Sequence, residues 1–159
     1  MKIYLCFVNI ALLLIACSSQ NTTSNEILEE QNKQFADVIK VSISGKEGAY
    51  NFSVMLNSPD MGCNQYADWW EVIAEDGSLL YRRILAHSHV GEQPFTRSGG
   101  GVKIISAQVV WVRAHINNKG YGGITMKGSK DTGFEVVEMP DNFAINLETT
   151  QPLPDGCAF

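Results

Sequence analysis

What this 159-residue sequence lacks narrows it first. It contains no G-x-S-x-G, H-E-x-x-H, C-x-x-C or Walker sequence, so the compact signatures of hydrolases, zinc proteases, thiol–disulfide enzymes and P-loop proteins are missing. The glycines of Gly120–Gly123 lack the spacing of a dinucleotide fingerprint and follow the wrong element. No long segment repeats its apolar residues every 3.6 positions, which argues against a helical domain. The apolar run Ile3–Ala16, broken by Asn9, falls short of the roughly 20 residues a transmembrane helix needs. With 12 basic and 17 acidic residues, the chain is mildly acidic, which argues against nucleic acid as a partner. From Asp131 to the end there are six acids and no lysine or arginine.

What is present begins at the N-terminus. Lys2 followed by the apolar run is the shape of a secretory signal. The stretch Leu14-Ile15-Ala16-Cys17 resembles the bacterial lipobox, in which a small residue precedes a cysteine whose thiol is alkylated with diacylglycerol. That resemblance implies a signal peptide over residues 1–16, a lipidated Cys17 as the mature N-terminus, a membrane partner reached through that lipid, and a place in the bacterial cell envelope. Ser18 and Ser19 stand where an aspartate would favour the inner membrane, so the resemblance implies the outer membrane. Residues 17–35 are polar and read as a flexible tether. One domain remains, residues 36–159, large enough for its own core. Removing Lys2 with the signal leaves 11 basic against 17 acidic residues, a net charge of −6.

Of four cysteines, Cys6 leaves with the signal and Cys17 takes the lipid. Cys63 and Cys157 remain as an even pair in an oxidising compartment, which predicts a disulfide fastening the C-terminal tail ahead of the Tyr66-Ala67-Asp68-Trp69-Trp70 segment.

Period-two alternation then predicts an all-β fold. Val38–Ser44 puts Ile39, Val41 and Ile43 on one face, and Tyr50–Leu56 alternates likewise. Asp68–Leu85 reads as a hairpin turning at Asp76-Gly77, and Ala107–Gly128 as a second turning near Asn117–Gly120. Thr132–Met139 and Phe143–Thr149 are later strand candidates. The segment Val109–Gly123, with aliphatic and aromatic residues alternating before Arg113-Ala114 and a polar turn, resembles the penultimate strand of fibronectin type III domains. The tryptophans after Asp68 sit where such a domain has its core tryptophan. The resemblance implies an immunoglobulin/fibronectin-III-like antiparallel β-sandwich.

Sorting side chains by face gives the candidate sites. Trp70, Val72 and Ala74, with Val110, Val112, Ala114 and Ile116, should face the core. Trp69, Trp111, Arg113 and Arg83 then share an outer face, which reads either as a structural Trp–Arg stack or as a platform for a protein, glycan or anionic ligand. Glu71 and Glu75 read as solvent-facing. His87 and His89 project from the same side of an extended chain. If His115 meets them, with Glu92 as a fourth ligand, the set suits zinc or copper; otherwise these are structural histidines and no cofactor is needed. Ser88 beside them is the single thought of a nucleophile. Glu92–Gly101 reads as a loop anchored by Phe95, with Arg97 and three glycines able to cradle an anion. The function that follows is an envelope-anchored, non-catalytic interaction module, with a metal-binding lipoprotein as the alternative.

Overall fold

The computed structural model describes residues 34–158. The expected signal, Cys17 and most of the tether lie outside them. Eight strands form two antiparallel sheets: β1 (Asp37–Lys46), β2 (Ala49–Asn57), β3 (Ala67–Ala74), β4 (Leu79–Ile84), β5 (Phe95–Val102), β6 (Val110–Ile116), β7 (Met126–Ser129) and β8 (Gly133–Val136). The three-stranded sheet runs β1-β2-β5, and the five-stranded sheet runs β4-β3-β6-β7-β8. The fold is an all-β sandwich.

The faces pack as the alternation demands. Phe52, Val54 and Leu56 of β2 meet Trp70 and Val72 of β3 and Val110 and Val112 of β6 in one core. The Asp76-Gly77 turn forms, with Gly77 at φ 86°, a conformation that costs glycine little.

Three expectations change. Register shifts between Val38 and Lys40, so Val38 is buried while Ile39 turns to solvent. The extra residue of a bulge explains this, because it flips every later side chain. The segment expected as a glycine loop is strand β5, paired with β2 from Leu56↔Phe95 to Tyr50↔Val102. Its glycines serve close packing: a Cβ at Gly99 would collide with the Tyr81 ring. Phe143–Thr149 is not a strand. It carries a 3-10 helix, Ile145–Thr149, within a C-terminal segment laid across the second face of the five-stranded sheet.

That segment explains why β6 is buried along its whole length and β3 along all but its last residue. A sheet face covered by chain needs apolar cover, and Ile73, Trp111 and Leu147 make a second small core there, with Leu79, Val137, Met139, Phe143 and Ala144 packed against it. The Cys63–Cys157 disulfide closes over a separation of 94 residues and holds the end of this segment.

Candidate functional site

The expected outer platform exists as a face, but it is sealed. Trp69, Trp111 and Arg113 are only 3%, 6% and 3% exposed. At their centre Glu71, expected in solvent, is fully buried. Register puts it opposite Arg82 on β4 and Arg113 on β6. Arg82 Nε donates to Glu71 Oε2 at 2.9 Å, and Arg113 Nε donates to Glu71 Oε1 at 2.8 Å.

The outer forks of both guanidinium groups reach the covering segment. Arg82 donates to the carbonyls of Leu147, Thr150 and Pro152. Arg113 donates to those of Phe143 and Ala144. One carboxylate thus orients two arginines whose remaining N–H groups satisfy backbone carbonyls, the condition for burying charge. The aromatic stack also forms, though with Arg82 over Trp69 at 4.5 Å, and with Arg113 over Tyr121 at 3.5 Å. Arg83 is not on this face. It lies opposite Trp70, on the core side of an edge strand, and its Nε donates across to the Ser98 carbonyl of the other sheet. Sequence reasoning missed Glu71 and Arg82, although an acid inside an apolar strand with arginines on the neighbouring strands was a signal.

The three histidines do not form one site. His115 packs flat on Trp69, 3.6 Å between centroids, and its Nδ1 lies 2.7 Å from Asp68 Oδ1. Its Nε2 lies 3.5 Å from Glu148 Oε1 of the 3-10 helix. Burial raises the Asp68 carboxyl above its ordinary range, against the opposing pull of His115. His89 stacks on Phe95 at 3.9 Å, with His87 4.5 Å away. Both ring nitrogens of His89 are buried without a hydrogen-bond partner, and burial lowers its pKa. Among the described residues, no group of three or more His, Cys, Asp or Glu is placed to hold a metal ion. The zinc or copper site expected from His87, His89 and His115 is therefore not formed: Phe95 and the Asp60 loop claim His89, and Asp68 and Trp69 claim His115. Glu92, the expected fourth ligand, pairs with Arg97 at 2.8 Å instead. Arg97 of the expected anion cradle is the partner in that exposed pair, and Phe95 beside it is a buried anchor.

Asp60 organises this region. Its carboxylate accepts from Ser58 Oγ and the Ala67 N–H through Oδ1, and from the His89 N–H at 2.7 Å through Oδ2. Ser88 Oγ lies 3.5 Å from Asp60 and accepts from the Gly62 N–H. The serine thus ties two loops together.

Open clefts lie beside the Trp/Arg face. The larger, about 630 Å³, lies between the 117–125 loop and residues 136–145. Ile124, Val137, Met139, Phe143 and Ile145 line it, Arg113 lies at its floor, and Glu138 and Asp141 are its acids. Tyr121 forms part of its wall, and burial lifts the Tyr121 phenol well above its ordinary range. The second, about 550 Å³, runs past His115, Asp68 and Glu148 to the disulfide.

Comparison with known proteins adds one relative. The chain is 39% identical over 99 residues, 62% of its length, to a protein of Halomicrobium mukohataei named "Putative lipoprotein". The chain spans about half the length of that relative, the match covering 49% of it. No family model and no solved structure matches the chain.

Proposed function

We propose that this protein is a lipid-anchored envelope protein whose β-sandwich serves as a non-catalytic interaction module. The N-terminal signal pattern with Cys17 and the lipoprotein name of the relative support the anchor. Ser18 and Ser19 after Cys17 favour the outer membrane. The strand order supports a fibronectin-III-like module: β1, β2 and β5 face β4, β3, β6 and β7 as strands A, B and E face C′, C, F and G. In that reading β8 and the covering segment are additions to the seven-strand plan.

The observation that carries the module reading is the use made of the interior charges. Glu71, Arg82, Arg113 and Asp60 are bonded to one another or to backbone, where they fix shape. The larger cleft offers a surface for a partner. Its mixed apolar and acidic lining suits a protein segment carrying apolar and basic side chains, on a chain whose last 29 residues contain no base.

Membrane partition tests the anchor. In a bacterial host the wild-type chain is expected in the membrane fraction with an N-terminal peptide heavier by a diacylglyceryl group, and Cys17→Ala without that added mass and with its signal uncleaved. A wild-type chain found soluble with an unmodified Cys17 would remove the anchor from this account.

A further inference from the structure

Two loops at one end of the sandwich hold apolar side chains out in water. Met61 is 70% exposed and Val90 is 59% exposed. The loops that carry them, residues 58–66 and 85–94, are joined: Gly62 N–H donates to Ser88 Oγ at 3.1 Å, and the buried Asp60 carboxylate of one accepts the His89 N–H of the other. Gln93 adds a third tie, accepting from the Ser58 N–H through Oε1. The tips are thus braced where they stand, and bracing removes the ordinary escape of an exposed apolar side chain, which is to fold back onto its own surface.

Antiparallel pairing fixes which end this is. Asn57, Ala67, Ile84, Phe95 and Ile116 lie at the same end as Asp37, where the described chain enters the fold. Lys119 of the 117–125 loop donates to Gln34 there. Sixteen residues separate Cys17 from Gln34, so even fully extended at about 3.3–3.6 Å per residue they reach at most about 60 Å. The opposite end lies a ten-residue strand farther away, about 34 Å. The acids of the two loops are buried or paired. Within the two loops the acids are Asp60, which is buried, and Glu92, which is paired with Arg97, so neither presents an uncompensated carboxylate. Asp155, on the tail strapped beside them by the disulfide, and Glu148, facing His115 and Gly120, are exposed acids outside the two loops.

We infer that this end of the sandwich, through Met61 and Val90, seats on the lipid surface to which the chain is tethered. The inference rests on the lipid-anchor reading above.

The test uses the full lipidated chain in phosphatidylcholine vesicles, with and without bromine on the acyl chains. The three native tryptophans are buried, so they give a background the bromine does not quench. A tryptophan at Val90→Trp should lose about half its emission in brominated vesicles, as expected for a side chain 5–10 Å into the interface. Met61→Trp should do the same and serves if Val90→Trp misfolds. Ile105→Trp, 55% exposed at the opposite end, should lose none. Bright Val90→Trp and Met61→Trp on a chain that floats with the vesicles would overturn the seating and keep the anchor, and a self-associated end would give that result. Equal quenching of Ile105→Trp would overturn it too. A chain that does not float with the vesicles would overturn the anchor, and the seating with it.

Discussion

Glu71 sits between Trp70 and Val72, where apolar neighbours would suggest a purely packed strand, and its carboxylate holds Arg82 and Arg113 in place. Removing it strands two buried guanidinium groups. Glu71→Ala should therefore destabilise the chain by about 3–5 kcal/mol, read by denaturant unfolding. His89 presents the opposite case. Its ring is buried and both nitrogens lack partners, so the neutral form is favoured in the folded chain and the pKa falls below the ordinary 6.5. The unfolded chain then binds more protons below pH 6.5. Stability should be whole above that value and decline as pH falls from 6.5 toward the folded pKa. His89→Phe keeps the stack on Phe95 and should remove that part of the decline, measured as the melting temperature across pH 5–7.5. The type of each residue was legible at both positions. What was not legible was which neighbour each would meet, because Asp60 and His89 are 29 residues apart and Glu71 and Arg113 are 42 apart.

The strands themselves were readable where alternation is regular. β2, β3 and β6 fall where the pattern places them, and the two hairpins turn at Asp76-Gly77 and after Ile116. Alternation failed where a bulge or a small residue intervened. The bulge after Val38 exchanged Val38 for Ile39, and the glycines of β5 hid a strand that needs them to pass Tyr81. The larger miss was the C-terminal segment. Its strap role depends on backbone carbonyls, which every residue has and no sequence pattern displays. The carbonyls of Phe143, Ala144, Leu147, Thr150 and Pro152 receive the arginine forks. Glu71→Ala should therefore loosen residues 137–152 before the rest of the fold, seen as faster amide exchange there than in β2. Uniform exchange throughout the chain would show that the arginines do not carry the strap.

On the scale of the whole molecule, a sandwich of two sheets is closed by its own tail and a disulfide. The Cys63–Cys157 bond was readable once the expected signal and lipobox set Cys6 and Cys17 aside, which left one possible pair. Its loop of 94 residues corresponds to about 4–5 kcal/mol in the chain-entropy description. Reduction should lower the melting temperature and free two titratable thiols that the untreated protein lacks. An unchanged melting curve, with both thiols already titratable, would contradict the bond.

The claim on which the account turns is that the Trp/Arg face is sealed by the chain itself and is no open platform. Iodide quenching of tryptophan in the oxidised full-length chain tests it most directly. Trp69, Trp70 and Trp111 should all be shielded, with emission nearly insensitive to iodide. Quenching of two of the three, as for free tryptophan, would place Trp69 and Trp111 in water and restore that face as a ligand platform.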